Sequence, residues 1–466
     1  MSDFNTAMLF LVTYTLSPKG CFYAKNGNDF PKEKNRNIMT SLRTYDIPTS
    51  RLSARYVLAL VIGFTVTFNN VEWSFGGNTL TLERILSVPL FLIICVLLIG
   101  SKIPLRLPKT GLILLVWIAL TFFSSAAGPV PAWSLKMFLG LLFAISFYYM
   151  TIWLRANPFT IFQSRAFLSL AWFCGPVLSI IYVAAVLHLQ LPEIALHWLQ
   201  EGSGGTRIRG GITEANLFGV FVSLITLTVV ALGKTKKVWW WILVLGLHTS
   251  LLFSFSRAPW ISYILSVGIY YALIKRSHYK ARSFVWYTLA ALLLVGLIVA
   301  ASYFVMAEFG DNEIIGRTHS VRTRFIMWGL AAESILKNPF LGNGIYSFSE
   351  IYSFAPELVG SDSHRSAWIS NLPLALLHDT GIFGLLLFFY FMISVIRRSL
   401  EAVRKAAVNR TVDIYQVKIG AALVAFLMAM VFSSQSIPAH SIAVFWVCIA
   451  LTERFSILSN SSSLKN

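Results

Sequence analysis

The chain has 466 residues, of which 56% are apolar and 12% are charged, and its mean hydropathy is +0.69. A soluble core cannot use so much apolar surface, so the composition excludes a soluble globular protein and predicts a polytopic membrane protein. The net charge of +18 lies in short segments between apolar runs, which is typical of membrane topology and of contact with anionic lipid. We therefore expect no nucleic-acid partner.

Twelve apolar runs are long enough to cross a hydrocarbon core of about 30 Å as helices. They cover residues 55–72, 84–101, 109–127, 133–153, 166–189, 212–233, 238–255, 258–274, 283–306, 370–396, 416–434 and 438–457. With a cytoplasmic N-terminus, 28 of the 38 basic residues fall in cytoplasmic segments, as the positive-inside rule requires. The sequence thus predicts an all-α integral membrane protein with about 12 transmembrane helices and both termini in the cytoplasm.

The domain organisation follows from these runs. The first apolar stretch, near the N-terminus, is too short to span a bilayer, and Asp3 precedes it where a signal peptide would carry positive charge. Four cysteines show no metal-like spacing, so we expect neither a disulfide nor a zinc site. The expected parts are a cytoplasmic tail over 1–53, helices 1–9 over 54–306, an extracytoplasmic loop over 307–369, helices 10–12 over 370–457 and a cytoplasmic tail over 458–466.

The long loop between predicted helices 9 and 10 has structure of its own. Its segment from Val321 to Leu336 is compatible with a helix, and the pair Asn338-Pro339 is a stop signal. Gly342 and Gly344 follow among aromatic residues and predict a compact turn near the membrane surface. We expect this loop to carry the chemistry.

Five arginines on the predicted outer side are candidates for binding a phosphate, because the planar guanidinium fork matches a pair of phosphate oxygens. They are Arg207, Arg209, Arg257, Arg322 and Arg324. The first two lie in a glycine-rich segment that Asn216 follows, and Arg324 heads the loop helix. Each could instead reach a lipid headgroup or pair with an acid of the loop. As a group beside glycines they favour a polyanionic substrate that is attached to a lipid.

The segments around these arginines resemble the O-antigen ligase and O-antigen polymerase family. In chain order they are RIRGGITEANLFG from Arg207, FSFSRAPW around Arg257, RFIMW followed by KNPFLGNGIYSF from Arg324, and SNLPLALLHDTGIFG from Ser370. The first has Ala215 where the family usually has proline. Each element alone is weak, but four in order around the long loop are specific.

The last element departs from the ligase pattern, which has a histidine directly before the asparagine. This chain has Ser370 before Asn371, and serine is a poor general base at neutral pH. His364 is the alternative base that we favour, with Asp362 as a further candidate. For His378, about two turns into the tenth span, we expect a structural hydrogen bond. The Ser-Asn version is more similar to the polymerases than to the ligases.

The resemblance implies metal-independent, inverting glycosyl transfer, without a cofactor, from an undecaprenyl-diphosphate-linked oligosaccharide at the outer face of the bacterial inner membrane. A polymerase would pass the glycan to the next lipid-linked repeat unit, whereas a ligase would pass it to another acceptor. Membrane lipids and other polysaccharide-assembly proteins, such as a flippase and a chain-length regulator, are the implied partners. The implied catalytic residues are Arg257, Arg324 and His364, and the implied substrate-binding residues are Arg207, Arg209, Asn216, Arg322, Trp328, Ser370 and Asn371.

Two other classes of protein remain open at this point. A transporter or flippase of a lipid-linked or anionic solute would show related halves and ionisable residues near mid-membrane. Here the spans show no evident pairing, and Glu214 is the main residue that such a protein would use. A purely structural membrane subunit would leave the arginine and glycine segments without a role. Trp328 and neighbouring aromatic residues could stack on sugars or anchor the loop at the membrane interface.

Overall fold

The computed structural model of the chain is a bundle of long helices. It describes residues 72–75, 78–81, 108–153, 158–200, 206–210, 215–233, 238–275, 313–352, 369, 371–409, 414–433 and 443–463. Two short antiparallel hairpins, which the sequence did not predict, join β1 (Glu72–Phe75) to β2 (Asn78–Thr81) and β3 (Leu199–Gln200) to β4 (Arg207–Ile208). The rest of the described chain is mostly helical, as expected of an all-α membrane protein.

The helices are numbered here in chain order. They are α1 (Lys109–Ala127), α2 (Pro131–Trp153), α3 (Arg165–Trp172), α4 (Leu178–Val186), α5 (Glu193–Leu196), α6 (Ala215–Leu232), α7 (Val238–Phe253), α8 (Arg257–Lys275), α9 (Glu313–Lys337), α10 (Ser347–Ile351), α11 (Leu372–Asn409), α12 (Ile414–Ser433) and α13 (Ala443–Ser463). A 3-10 turn at Pro158–Gln163 precedes α3, and a π-helical turn at Phe173–Val177 joins α3 to α4.

Five helical stretches in the described part of the chain are long and apolar enough to cross a membrane. They are Lys109–Ala127, Pro131–Ile152, Phe167–Val186, Ala215–Leu232 and Leu372–Ala406. Three shorter apolar helices are Val238–Phe253, Ala258–Ile274 and Ile414–Met430. Within the described residues, helices overlap nine of the twelve predicted runs. The runs 55–72, 84–101 and 283–306 lie outside those residues, apart from Glu72 in β1.

Large apolar side chains cover the outside of the bundle. On α11, Leu386, Tyr390 and Ile393 are each at least 57% exposed, and the helix is long and apolar enough to cross a membrane. Their spacing of four and three residues places them on one face of the helix. Such a face is costly in water and favourable in hydrocarbon, so it is the lipid-facing stripe of α11.

Helix α6 lies at the centre of the bundle, since 15 of its 18 residues are buried. It packs against α7, α8 and α12. Its three buried hydroxyl residues donate to carbonyls one turn earlier: Ser223 to Gly219 at 2.8 Å, Thr226 to Val222 at 2.7 Å and Thr228 to Leu224 at 2.8 Å. These bonds within the helix satisfy the three hydroxyls, and the Ser223 hydroxyl also lies 3.3 Å from the Pro259 carbonyl on α8.

The other notable polar contact inside the bundle is a buried carboxylate. Glu453 on α13 is 0% exposed and accepts hydrogen bonds from Thr110 on α1 and Tyr148 on α2. Arg398 on α11 adds an ion pair at 3.7 Å. A buried charge is tolerated only when it is paired and hydrogen-bonded, and these groups on three other helices meet that condition. Glu453 therefore ties α1, α2, α11 and α13 together at one end of the bundle.

We predict that Glu453→Gln destabilises the protein by about 1–3 kcal/mol, because an amide nitrogen would replace one of the two oxygens that accept these bonds. The apparent melting temperature of the detergent-solubilised protein measures the effect. Glu401→Gln is the matched control, since Glu401 is half exposed and pairs with Arg397 at 3.3 Å within α11. A melting temperature that falls equally in both variants would contradict this role for Glu453.

Candidate functional site

The candidate site is built around a break in α11. Gly381 has φ 65° and ψ −172°, a combination that interrupts the helix and that essentially only glycine adopts. The break separates an upper piece of α11, which begins at Leu372, from the long lower piece. Backbone groups at the break lose their partners within the helix, so they need partners from elsewhere.

The segment Asn338–Tyr346, here called the turn, supplies these partners. The Asn343 N–H donates to the His378 carbonyl at 2.8 Å, and the Gly344 N–H donates to the Asp379 carbonyl at 2.9 Å. In the opposite direction, the Ile382 N–H donates to the Pro339 carbonyl at 2.9 Å. The turn and the broken helix therefore complete each other's backbone hydrogen bonds.

Glycines allow this close approach, as the sequence predicted for a compact turn. Gly342 has φ +77° and Gly344 has φ +93°, in the left-handed region that glycine favours. A Cβ on Gly342 would lie 2.5 Å from the Gly381 nitrogen and 2.6 Å from the Asp379 carbonyl carbon. The turn and the break in α11 could not meet if Gly342 or Gly381 carried a side chain.

The turn is also fixed to the first two helices. Ser124 on α1 donates to the Asp379 carbonyl at 2.5 Å and accepts from the Gly344 N–H at 3.1 Å. The Trp133 indole on α2 donates to the Tyr346 carbonyl at 3.1 Å. The loop segment is thus anchored to α1, α2 and α11 at one end of the bundle, which we call the turn end.

A buried carboxylate links the turn to a histidine. Asp379 is 4% exposed; its Oδ2 accepts from the Tyr346 N–H at 3.0 Å, and its Oδ1 lies 2.8 Å from Nδ1 of His378. The His378 ring is 0% exposed and makes an edge contact with Phe348, with 5.5 Å between ring centroids. The sequence analysis did not predict these hydrogen bonds from the turn to Asp379 and from Asp379 to His378. The sequence signal that could have indicated them is Asp379, an acidic residue within an apolar run and two residues before Gly381.

Helix α9 carries Arg324 and Trp328 near the face that packs against Phe348. Met327 and Ala331 are buried on the face of α9 that packs with Phe348. Arg324 lies three and seven residues before them, so it extends that face by one turn and is half exposed. Trp328 packs on the same cluster. The helix begins earlier than predicted, at Glu313, and ends at Lys337, directly before the predicted stop signal.

The first two arginine segments meet at a second place. Asn216, at the start of α6, accepts a hydrogen bond from Ser256, the residue before α8 begins at Arg257. Gly219 makes room for Pro259, whose Cγ would lie 2.8 Å from an added Cβ. The segments RIRGGITEANLFG and FSFSRAPW are therefore adjacent in the fold.

Arg207 and Arg209 lie at the hairpin of β3 and β4, close to the start of α6. Ile208 between them is fully buried, so the two arginines point to the opposite face and are half exposed. Arg209 donates through Nε to the His197 carbonyl at 3.2 Å. This bond restrains the Arg209 guanidinium at the hairpin.

The remaining predicted residues are placed as follows. Asn371 lies just before α11, and its side chain accepts from the Leu374 N–H at 3.1 Å, which caps the helix. Arg257 and Arg322 lie in α8 and α9, but their side chains are outside the described residues, as are His364 and Ser370. The described contacts join the four family-like segments in two pairs: the first with the second, and the third with the fourth.

The structure describes few charged side chains around the turn end. Glu333 lies 2.9 Å from Lys337 on the exposed face of α9 and raises the pKa of Lys337 above its ordinary value through a hydrogen bond and its charge. Among the described residues, no group of three His, Cys, Asp or Glu side chains could hold a metal ion. The half-exposed Arg324 on α9 and the exposed Lys136, which lies over the Trp133 ring at 5.4 Å, are described cations on the elements that meet here.

Residues 241–389 match the family model for O-antigen ligases. The matched region contains the second, third and fourth segments, the turn and the break in α11. The first segment, from Arg207, is joined to this region by the bond between Asn216 and Ser256. The match supports assignment of the chain to the O-antigen ligase and polymerase family. No curated protein matches the chain at a significant level.

The match points to ligase-like glycan transfer by a glycosyltransferase-type enzyme that acts on lipid-linked glycans. The long apolar helices agree with a multi-pass membrane protein.

We predict that Gly381→Ala and Gly342→Ala disrupt the turn end. The first forces a Cβ into the Phe340 carbonyl at a φ that costs about 1–3 kcal/mol for other residues. The measurement is glycan transfer together with the melting temperature. Gly140→Ala in α2 is the control, because a Cβ there meets nothing within 4 Å. Transfer that survives in both turn-end variants would show that the docked turn is not required.

Proposed function

We propose that the protein is a polysaccharide polymerase of the outer face of the bacterial inner membrane. It transfers a glycan from undecaprenyl diphosphate to the next lipid-linked repeat unit, with inversion at the anomeric carbon and without a metal ion. The observation that carries the proposal is the position of Arg324. It extends by one turn the face of α9 that packs against Phe348, Leu374 and Ala375, within the region that matches the family.

The proposed chemistry follows from the charges available at this end of the bundle. Guanidinium groups hold the diphosphate and stabilise the negative charge that develops on it as the glycosidic bond breaks. Arg324 and Arg257 take this role, and Arg322, Arg207 and Arg209 widen the basic surface. The charge that a divalent ion supplies in other phosphoryl sites comes here from arginines.

Carbohydrate binding is assigned to the aromatic and amide groups. Trp328 is half buried beside Arg324 on α9, and its ring meets Phe325 at 5.3 Å between centroids, which leaves an aromatic surface on which a sugar can stack. Asn216 accepts from Ser256 before α8, and Asn371 caps α11; both amides, with Ser370, are the polar groups assigned to the substrate in this proposal. His364 and Asp362 lie in the same loop as Arg324.

The polymerase assignment depends on the segment that begins at Ser370. Serine stands where a ligase has its histidine, and this version is more similar to polymerases. A ligase-type transferase is the second candidate. Both enzymes take the same donor and differ in the acceptor, so the products in the cell distinguish them.

The first test is deletion of the gene in its host, followed by size-resolved electrophoresis of the surface glycans. A polymerase predicts that long chains collapse to single repeat units on their final carrier. Long chains that accumulate on the lipid carrier would identify a ligase instead. An unchanged profile would exclude both and favour a transporter.

Complementation of this deletion with variants tests the arginines. We expect Arg257→Ala and Arg324→Ala each to lower transfer by about 100-fold or more, as removal of a donor to a developing anion does. Ser370→Ala should have a small effect.

Arg397→Ala is the matched control, because this arginine is exposed and pairs with Glu401 in the lower part of α11. Immunoblots of the membrane fraction establish that every variant inserts. Long chains at the wild-type level in either the Arg257 or the Arg324 variant would exclude the diphosphate role of that residue.

A further inference from the structure

His378 differs from the other described buried histidine. His248 on α7 uses both ring nitrogens: Nδ1 lies 2.7 Å from the Val244 carbonyl and Nε2 lies 2.8 Å from the Tyr263 hydroxyl. In His378 only Nδ1 is bonded, and Nε2 is buried without a hydrogen-bond partner in the described structure. Buried polar atoms are rarely left in this state, so a structural role accounts for His248 but not for His378.

Asp379 fixes the chemical state of that free nitrogen. A carboxylate can only accept hydrogen bonds, and its other oxygen already accepts one from the Tyr346 N–H. Nδ1 of His378 therefore carries the proton in the neutral ring, and Nε2 presents a lone pair. The carboxylate also stabilises the imidazolium that forms when Nε2 takes up a proton, as in other histidine–carboxylate pairs.

The surroundings of His378 connect it to the donor-binding groups. Its ring contacts Phe348, which belongs to the same small cluster as Met327, Ala331 and Trp328 on α9. The Trp328 indole N–H is a second buried group without a hydrogen-bond partner among the described residues. An unpaired acceptor and an unpaired donor thus flank one cluster, and Arg324 lies one turn from Trp328.

We propose that His378, oriented by Asp379, is the general base of the transfer reaction. This inference rests on the proposed function. As the acceptor hydroxyl oxygen bonds to the anomeric carbon, its proton passes to Nε2 of His378. The bond between the anomeric carbon and the diphosphate oxygen breaks, and its electron pair leaves with undecaprenyl diphosphate. The Trp328 N–H donates to an oxygen of the acceptor sugar.

This assignment fills the role that the family pattern gives to the residue at position 370. His378 comes eight residues later in the chain and lies six residues after Leu372, the start of α11, or about 9 Å along the helix axis at 1.5 Å per residue. In this assignment the acceptor hydroxyl binds beside the docked turn, further along α11 than Asn371, and not at the start of the helix.

Two substitutions separate catalysis from structure. His378→Asn keeps a donor close to the Nδ1 position for Asp379 but removes the basic Nε2. Asp379→Asn still accepts from the Tyr346 N–H through its amide oxygen, while its NH2 group donates to Nδ1 and moves the ring proton to Nε2. Both leave the turn docked and remove the base. His248→Asn is the control for the loss of a buried histidine.

The assay uses the purified full-length protein in lipid nanodiscs and the lipid-linked repeat unit extracted from the deletion strain. We expect both variants to lower kcat by about 100-fold or more, which is the rate acceleration that a general base usually contributes. KM and the affinity for undecaprenyl diphosphate should stay unchanged. The His248 variant should keep wild-type kcat.

Wild-type kcat in either folded variant would overturn the assignment. Loss of the folded protein in both variants would overturn it as well, because it would make the pair structural. Failure of the wild-type protein to extend the repeat unit would instead contradict the proposed function itself.

Discussion

Backbone hydrogen bonds between the turn and the break in α11 hold the rest of the site in position. A helix broken at Gly381 inside an apolar bundle leaves donors and acceptors that lipid cannot satisfy. The turn provides partners for the carbonyls of His378 and Asp379 and receives the N–H of Ile382. Neither element satisfies its buried polar groups alone, so the loop and the membrane helix form one structural unit.

This mutual dependence determines where the side chains point. Because the turn is fixed to Ser124 on α1 and to Trp133 on α2, the end of α9 that leads into it is held against α11. Arg324 is thereby held one turn along α9 from Met327 and Trp328, in the cluster that Phe348 joins to His378. Groups held by backbone contacts need little reorganisation during a reaction, which is how preorganised sites stabilise developing charge.

Much of the helical architecture could be predicted because the bilayer imposes it: apolar runs must be long, and their backbone must bond within the segment. Local signals also sufficed for the end of α9 before Asn338 and for the glycine turn. The break at Gly381 was missed, since a single glycine in an apolar run is ordinary in membrane helices. Its partner lies about 40 residues away in the loop, and no local pattern encodes such a pairing. The expectation of a structural hydrogen bond for His378 holds for one nitrogen only.

The two buried acids of the bundle show how placement separates stability from chemistry. Glu453 has Thr110, Tyr148 and Arg398 around it, so its charge is balanced and its oxygens are occupied. Asp379 has a backbone N–H and an imidazole, and among the described residues no Lys or Arg forms an ion pair with it. The first arrangement locks helices together, whereas the second orients one imidazole, whose Nε2 has no hydrogen-bond partner among the described residues, near the helix that carries Arg324.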